Sequence, residues 1–417
     1  MATDKRVIKK LKTEEPGPSS VQQEDVLADI QTSEELVIKA GVVVEDVVVE
    51  DVATEEGKTV DEEEEEVYTE EERAAGEQLL QAIAEGNLGQ AKAAVAASAD
   101  IMYRNDFGRT SLHIAAEHGH LEIVTWLLSE RHPWNVVDYA DVTAGELALR
   151  NKHDVVYEAL LNEGCRAELI LRAISAALGG DDEPSTDYLQ QKLHYDDNKL
   201  MDADKNAVMM GWEGSDYTAV FTDIPCLFIY SIFTIHKYKP QRHVIIEAHP
   251  DVYAHMLELE WDKKEGVRIL FGRWQDVVEG IEEKFDGIFF DTYGEFYDDL
   301  RKFHASVPNM LHSHGIYTWF NGLGATNQFF HDVYCRISEL DLRDLGLLTE
   351  YVEMATPTAD EKGIWDGVRQ RCVPSFYLVA LFDISYLLIH DRILILIYSR
   401  YWVLDTYRLP VCRFLTK

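Results

Sequence analysis

The pattern of apolar and polar positions divides the chain into segments of different character. Residues 1–72 contain no Trp or Phe and include five consecutive glutamates at 62–66. Because such a segment buries too little apolar surface to offset its ordering entropy, we predict a disordered acidic tail. Residues 77–165 repeat a pattern with a period of 33, and from residue 244 buried-strand runs alternate with helical runs.

The repeat has equivalent positions 33 residues apart, at 86, 119 and 152 and again at 95, 128 and 161. Its clearest copy contains Thr110, Leu112, His113 and Ala115, with Ser111 where a proline is usual. This copy resembles the ankyrin repeat, whose signature is TPLHxA at a period of 33. We expect the side chains of Thr110 and His113 to close the turn before the first helix of the repeat. Ankyrin repeats bind proteins, so residues 77–165 are interpreted as a small all-α, protein-binding module.

Residues 166–205 read as a linker with helical content. An amphipathic run covers residues 168–178, and two glycines and two aspartates at 179–182 end it. Residues 188–201 form either a plain linker or a segment that lies over an active site.

The remaining residues, 206–417, carry the pattern of a larger α/β domain. Predicted strands at 244–246, 267–271, 285–291 and 315–320 alternate with predicted helices at 250–260, 274–283 and 296–310. Such alternation predicts a parallel, doubly wound sheet of the Rossmann-like kind. Ligands bind at the C-terminal ends of the strands in these sheets. The residues that follow those ends are Glu247, the run 272–276, Asp291 and Asn321.

These strand ends offer the side chains that a nucleoside cofactor requires. A carboxylate such as Glu247, after the second strand, accepts hydrogen bonds from ribose hydroxyls. Trp274 and Gln275 follow the third strand, where an adenine ring can stack on the indole and bond to the amide. Asp291 ends the strand that faces the reacting centre. The alternative is that each is an ordinary polar residue at a strand end, with Asp291 as a helix N-cap.

Six short motifs carry a more specific resemblance. They are the segments at 210–213 (MGWE), 246–250 (IEAHP), 272–277 (GRWQDV), 285–288 (FDGI), 291–293 (DTY) and 320–324 (FNGLG). They resemble guanidinoacetate methyltransferases and, more closely, the fungal protein arginine delta-N-methyltransferases. That second family joins N-terminal ankyrin repeats to this type of domain, in the order found here. The resemblance covers residues 77–368 and resumes at 401–410.

The resemblance implies a role for each matching residue. S-adenosyl-L-methionine is the implied cofactor; its implied contacts are Trp212, Glu247, Ala248, His249, Trp274, Gln275 and Asp291. The implied catalytic residues are Glu213 and Asp291, the two carboxylates that bind the guanidinium of the substrate. Carboxylates accept guanidinium N–H bonds bidentately and fix its orientation. Methyl transfer is an in-line displacement, so most of the rate enhancement comes from this positioning. For Glu213 the alternative is an ordinary surface carboxylate. No metal is expected.

Two segments depart from the family pattern. No glycine occurs from Ser215 to Glu265, where the family has its first strand, a glycine-rich loop and its first helix. Residues 372–399 form an apolar insertion whose removal restores the family pattern. We hypothesise that both segments, 215–243 and 372–399, are translated intron, with a coding exon lost in the first case. The alternative is a divergent isoform that has lost activity.

Charge and composition limit the kinds of partner that this chain can bind. A formal net charge of −36 argues against a partner bound through nucleic-acid phosphates and favours a basic partner. The five cysteines form no CxxC pair, and the insertion at 372–399 is interrupted by charged residues, so we expect no zinc site and no membrane span. The resemblance further implies a protein substrate, specifically a ribosomal protein, and a location in cytoplasm and nucleus.

Three functions remain open at this point. The first is methylation of the delta nitrogen of arginine in a protein. The second is a catalytically inactive scaffold built on a degenerate methyltransferase fold, which the missing glycine-rich loop favours and the retained Glu213, Glu247 and Asp291 oppose. The third is a methyltransferase for a small guanidino compound, which would not need a protein-binding module.

Overall fold

The computed structural model describes most of the chain between residues 68 and 415. The described residues are 68–177, 187–196, 199–203, 205–210, 236, 239–292, 297–355, 371–374, 396–399, 404 and 406–415. The predicted acidic tail up to residue 67, the motif residues Trp212 and Glu213, and most of the two anomalous segments lie outside them.

Three helix pairs form the first part of the described chain. They are α1 (Glu70–Ala84) with α2 (Leu88–Ala96), α3 (Ser111–Glu117) with α4 (Leu121–Ser129), and α5 (Ala144–Arg150) with α6 (Asp154–Ala177). The predicted ankyrin architecture is therefore confirmed. The boundary of the predicted tail is wrong by three residues, because α1 begins at Glu70. Thr69 and Glu72 form a capping box at the start of that helix. Because this helix-start signal lies within an acidic segment, the prediction from composition missed it.

The predicted turn chemistry of the ankyrin repeat is also confirmed. The backbone N–H of Thr110 donates to Nδ1 of His113 at 3.1 Å, and the Thr110 hydroxyl lies 2.9 Å from the same nitrogen. Nδ1 is therefore the acceptor, and Nε2 donates to the carbonyl of Val142 in the next repeat at 3.1 Å. Burial lowers the pKa of His113 to about 4. The neutral ring thus ties two repeats together.

The period of 33 has a conformational basis. Gly86, Gly119 and Lys152 all adopt the left-handed conformation, with φ of 71°, 73° and 60°. His120 and His153 donate from Nε2 to the last carbonyl of α1 and of α3, respectively. A Cβ at Gly86 would lie 2.8 Å from the His120 ring, and one at Gly119 would lie 2.6 Å from the His153 ring. The next repeat's histidine therefore excludes a side chain at these two positions.

Helix α6 extends past the predicted end of the third repeat. It runs without interruption to Ala177, so the predicted helical run at 168–178 is a continuation of the repeat rather than a separate linker helix. Helix-forming residues fill this stretch, and Gly164 is retained where a Cβ would come within 3.0 Å of Val333 and Trp134.

Residues 187–210 contain more structure than the sequence predicted. A short helix α7 (Asp187–Gln190) precedes an antiparallel meander of β1 (His194–Asp196), β2 (Lys199–Met201) and β3 (Ala207–Met210). These strands are only three or four residues long, so no alternating pattern was available to reveal them. Apolar side chains of this unit pack on the following α/β domain; the buried ones from both sides are Leu193, Leu200, Val208, Ile245, Val252, Met256 and Trp261.

The predicted parallel pairs of the α/β domain are confirmed. Strand β4 (His243–Glu247) pairs in parallel with β5 (Val267–Phe271), and α8 (Pro250–Glu258) connects them. Strand β6 (Phe285–Phe290) pairs in parallel with β7 (Leu311–Trp319), and α10 (Tyr297–Met310) connects these two. The sheet is mixed, however, because β11 (Thr406–Phe414) lies antiparallel between β7 and β8 (Leu347–Ala355).

One predicted element differs in kind. The helix predicted at 274–283 is reduced to α9 (Trp274–Val277) and a 3-10 turn at Val278–Gly280. Two adjacent valines and a glycine disfavour a longer helix here.

The two ends of the insertion predicted at 372–399 pair with each other. Strands β9 (Arg371–Pro374) and β10 (Leu396–Ser399) are antiparallel.

Helix α11 (Gln328–Asp344) belongs to both parts of the molecule. Phe329, Val333 and Ile337, on one face of the helix, complete the core of the ankyrin module. Farther along, Leu342 joins the core of the sheet. The guanidinium of Arg172 in α6 binds both carboxylate oxygens of Asp341, at 2.7 and 3.0 Å. The two modules thus share a continuous interface through this helix.

None of the helices in the described part of the chain is long and apolar enough to cross a membrane.

Candidate active site

The candidate site lies where parallel strands end. Glu247 is the last residue of β4, and Asp291 immediately follows β6. Asn321 follows β7 after one residue. Residues of β4 and of β6 line a common recess, so the two strands face each other across it although they belong to separate sheets. Glu247 and Asp291 thus occupy the strand ends where the sequence places them, and their convergence into one site stays a prediction.

Glu247 is held in a tight turn between β4 and α8. The backbone N–H of His249 donates to its carboxylate at 2.6 Å, and the N–H of Gly272 donates to its carbonyl at 2.9 Å. Burial raises the pKa of Glu247 to about 7. The N–H groups of His249 and Ala248 oppose that shift, and the charge of Asp291 adds to it. The carboxylate is thus fixed in position and costly to ionise when no cation is present.

Asp291 shares this electrostatic character. Burial raises its pKa to about 7 as well. Two carboxyl groups that both resist ionisation, at the ends of β4 and β6, suit a site that binds a cation. A guanidinium or a positively charged sulfur placed between them would favour their charged forms.

His249 acts on the site through the backbone. Its Nδ1 accepts the N–H of Asp251 at 3.2 Å, so Nε2 carries the proton and lies 3.0 Å from the carbonyl of Gln191. The buried ring thereby caps α8 and joins it to the segment at 187–210. Both ring nitrogens are engaged, and the backbone of Ala248 and His249 orients the Glu247 carboxylate.

Trp274 and Gln275 differ in exposure. Trp274 is buried, and its indole meets Phe290 and Phe303 edge-on, with centroids 5.8 and 5.3 Å apart. It therefore forms part of the core beneath the strand ends. Gln275, next to it on α9, is half-buried. The predicted contact of these two residues with adenine stays a prediction.

Two of the predicted site residues have no described position. Trp212 and Glu213 lie outside the described residues, two and three positions after the end of β3. The roles predicted for them stay predictions.

A recess separates the two parallel pairs. Its lining residues are Arg242, His243, Val244, Ile246, Val278, Ile281, Phe285, Gly287, Ile288, Phe303 and Met310. Most of these belong to β4, β6 and the elements beside them. Among the described strands, β4 pairs with β5 alone and β6 with β7 alone. The recess lies between two strand edges, and the sequence predicts a missing first strand in this domain.

Sequence reasoning missed the support beneath Asn321. Its backbone N–H donates to the hydroxyl of Tyr407 at 3.0 Å, and its side-chain amide donates to the carbonyl of Arg408 at 3.1 Å. The guanidinium of Arg408 in turn binds Asp332 of α11, which also accepts from Tyr157 of α6. The motif at 401–410 was the available signal, but its partners lie more than 75 residues away in sequence.

Among the described residues, no group of three or more His, Cys, Asp or Glu side chains is arranged to hold a metal ion.

Comparison with known proteins identifies two family matches. The family described as ankyrin repeats (3 copies) matches residues 79–170, and that described as guanidinoacetate N-methyltransferase matches residues 228–343. The second match spans β4 to α11 and includes Glu247 and Asp291.

Curated relatives match most of this chain. A protein arginine N-methyltransferase 2 from Aspergillus oryzae is 30% identical over 352 residues, which cover 70% of this chain and 78% of the relative. The protein of that name from Cryptococcus neoformans is 31% identical, covering 74% and 86%. That from Saccharomyces cerevisiae is 31% identical, covering 57% and 71%.

The ankyrin helices and the parallel strand pairs agree with these matches. The chain belongs to the protein arginine N-methyltransferase 2 family, whose activity is the methylation of arginine.

Proposed function

We propose that this chain transfers a methyl group from S-adenosyl-L-methionine to the delta nitrogen of an arginine in a protein substrate. The observation that carries the proposal is the pair of carboxyl groups of Glu247 and Asp291. Each lies at the C-terminal end of a parallel strand, β4 or β6, and burial raises the pKa of each to about 7. Such a pair suits a site that receives one cationic ligand beside another.

The residues at the end of β4 fit the nucleoside part of this cofactor. The Glu247 carboxylate is fixed by the N–H of His249 at 2.6 Å and can accept hydrogen bonds from both ribose hydroxyls. Gln275 is half-buried beside it at the start of α9 and can bond to an adenine edge. When bound, the cofactor supplies a methyl group activated by its positively charged sulfur.

Asp291 and Glu213 are the residues that we assign to the guanidinium. A carboxylate binds the guanidinium N–H groups and orients the planar group, so that one nitrogen points toward the methyl donor. It can also help to remove the proton that this nitrogen must lose. The resemblance to delta-N-methyltransferases supports the delta nitrogen, a ribosomal protein substrate, and an enzyme of cytoplasm and nucleus.

The recess between β4 and β6 favours a second candidate function. If the chain cannot close this recess, the ribose and guanidinium sites are not held at the right distance, and the protein serves as an inactive scaffold. The two functions make opposite predictions for cofactor binding by the full chain.

Calorimetry of the full-length protein with S-adenosyl-L-methionine separates them. We expect micromolar binding that Glu247→Gln weakens by at least tenfold, with Asp286→Asn on the exposed face of β6 as the matched control. Mass spectrometry of methylated ribosomal proteins then distinguishes delta from terminal nitrogens by their fragment ions. A folded, monodisperse protein that binds no cofactor would establish the scaffold function instead.

A further inference from the structure

Two exposed aromatic side chains stand on adjacent turns of the ankyrin module. Phe107, at the tip of the second repeat's turn, is 71% exposed, and Tyr139, at the tip of the third, is 48% exposed. The backbone N–H of Tyr139 donates to the carbonyl of Phe107 at 3.1 Å. The Tyr139 ring lies over Gly108, where a Cβ would come within 2.6 Å of it. We call Phe107 and Tyr139 the aromatic finger pair.

The turns that carry this pair are rigid. The Asn105 side chain accepts the N–H groups of Phe107 and Arg109, each at 3.0 Å. The buried Asp138 side chain accepts the N–H groups of Ala140 and Val142 at 2.9 and 3.0 Å. Large aromatic groups that are exposed on a preorganised frame lose little entropy on binding, so they suit a docking surface.

The surface leads toward the candidate active site. The side-chain amide of Asn327 donates to the Glu146 carboxylate at 2.8 Å and lies 3.5 Å from the carbonyl of Asp141, in the same turn as Tyr139. Asn327 ends the loop that begins at Asn321, where β7 reaches the catalytic edge of the sheet. The third turn of the ankyrin module is therefore joined directly to the loop of the site.

Charge indicates the kind of partner. Residues 68–165 contain 16 acidic and 7 basic side chains, a net charge of −9. Near the pair, Asp106 and Asp141 are exposed, whereas Arg109 is already bound by Asp138 and Glu117 at 3.2 and 2.8 Å. The exposed Arg73 is paired with Asp106 at 3.1 Å, which leaves Asp141 as the nearby acid for a partner.

We propose that the aromatic finger pair is the docking surface for an extended segment of the protein substrate that is rich in arginine and lysine. Guanidinium and ammonium groups stack on exposed aromatic faces, and neighbouring carboxylates add to the attraction. The segment would continue along the loop from Asn327 to Asn321 and present an arginine at the strand ends. This inference rests on the proposed function for its biological purpose but not for its test.

Fluorescence anisotropy with the full-length protein tests the surface without any turnover. The probe is a fluorescein-labelled peptide of repeating Gly-Arg-Gly-Lys, and a Gly-Glu-Gly-Asp peptide is its control. We expect Phe107→Ala to weaken binding of the basic peptide roughly tenfold, as for an aromatic anchor. Asp141→Asn, which keeps a residue tolerant of the left-handed conformation found there, should weaken it about two- to threefold.

The matched control is Leu171→Ala, which removes a 59% exposed apolar side chain from α6, outside the turns. We expect it to bind the peptide like the unmodified protein. Circular dichroism melting of each variant checks that the fold is kept. Equal peptide affinity of Phe107→Ala and the unmodified protein would overturn the proposal. So would absent binding of the basic peptide, tighter binding of the acidic one, or self-association that Phe107→Ala abolishes.

The docking surface and the proposed function can fail separately. If Phe107→Ala loses peptide binding while the unmodified protein transfers no methyl group, the surface stands and the proposed function falls. If methylation of the protein substrate proceeds with the same KM in Phe107→Ala, the function stands and the surface falls.

Discussion

At the scale of single residues, Glu247 and Asp291 give the site a specific dependence on pH. Burial raises their pKa values to about 7 from ordinary values of 4.5 and 3.8. The folded state therefore binds more protons than the unfolded chain between about pH 4 and 7, and this contribution to stability is lost as pH rises through 7. We expect Glu247→Gln to raise the free energy of unfolding at pH 8 by on the order of 1–3 kcal/mol, with little change at pH 4.

Urea denaturation at the two pH values measures this difference. Asp286→Asn is the control, since its half-exposed carboxylate lies in β6 and is paired with the exposed His314. A Glu247→Gln variant that is less stable than the unmodified protein at pH 8 would contradict the expected sign. The same substitution should weaken cofactor binding by at least tenfold, so stability and binding move in opposite directions, as expected for a functional carboxylate that is costly to ionise.

Cofactor binding should itself depend on pH. A cation between the two carboxyl groups favours their ionised forms, so binding near pH 7 must release protons. We expect the affinity for S-adenosyl-L-methionine to rise between pH 6 and 8 and the observed binding enthalpy to depend on the ionisation enthalpy of the buffer. Calorimetry in phosphate and in Tris measures the number of protons released, and a release of zero would show that both groups are already ionised.

At the scale of secondary-structure elements, two glycines of the ankyrin module should respond differently to substitution by alanine. Gly119 has a φ of 73°, and a Cβ there would lie 2.6 Å from the ring of His153. Gly89 lies inside α2 with its nearest neighbour 3.5 Å from the position of a Cβ. We expect Gly119→Ala to lower the free energy of unfolding by about 2 kcal/mol or more. Gly89→Ala should raise it by up to about 0.5–1 kcal/mol, because glycine loses more conformational freedom than alanine when it enters the first turn of a helix.

Chemical denaturation of the two variants in parallel provides the measurement, since both substitutions add one methyl group. Equal effects would mean that the histidine contact does not restrict position 119. Lys152, the third position of the series, has a side chain at a φ of 60°, and among the described residues no fourth repeat follows to place a histidine over it. The degenerate last repeat is thus explained by the end of the array.

How far the sequence predicts each element depends on how local its cause is. The capping of α3 by Thr110 and His113, the alternation of β4, α8 and β5, and the polar strand ends all follow from neighbours in sequence. The short strands of the meander and the antiparallel insertion of β11 between β7 and β8 depend on pairing across long separations. No periodic pattern encodes that pairing, and the shortening of the helix predicted at 274–283 likewise needed the packing around Trp274.

At the scale of the whole molecule, the ankyrin module and the methyltransferase domain are not independent units. Phe329 of α11 is fully buried among Trp134, Tyr157 and Gly145, all from the ankyrin side. Sequence alone marked α11 neither as a helix nor as part of the ankyrin core, because its partners lie about 150 to 200 residues away. A partner bound by the repeats would therefore lie on a surface that is fixed relative to the strands of the candidate site.

The shared core gives a final prediction about cooperativity. Phe329→Ala removes a buried ring from between the two modules, and we expect it to lower the free energy of unfolding by about 3–5 kcal/mol. Because the cavity adjoins both modules, far-ultraviolet circular dichroism and intrinsic fluorescence should report one common transition at a lower temperature. Phe107→Ala, which removes an exposed ring from the same module, is the matched control and should leave the transition unchanged. Two separate transitions in the unmodified protein would instead mean that the modules unfold independently, and α11 would then serve as a tether rather than as a common core.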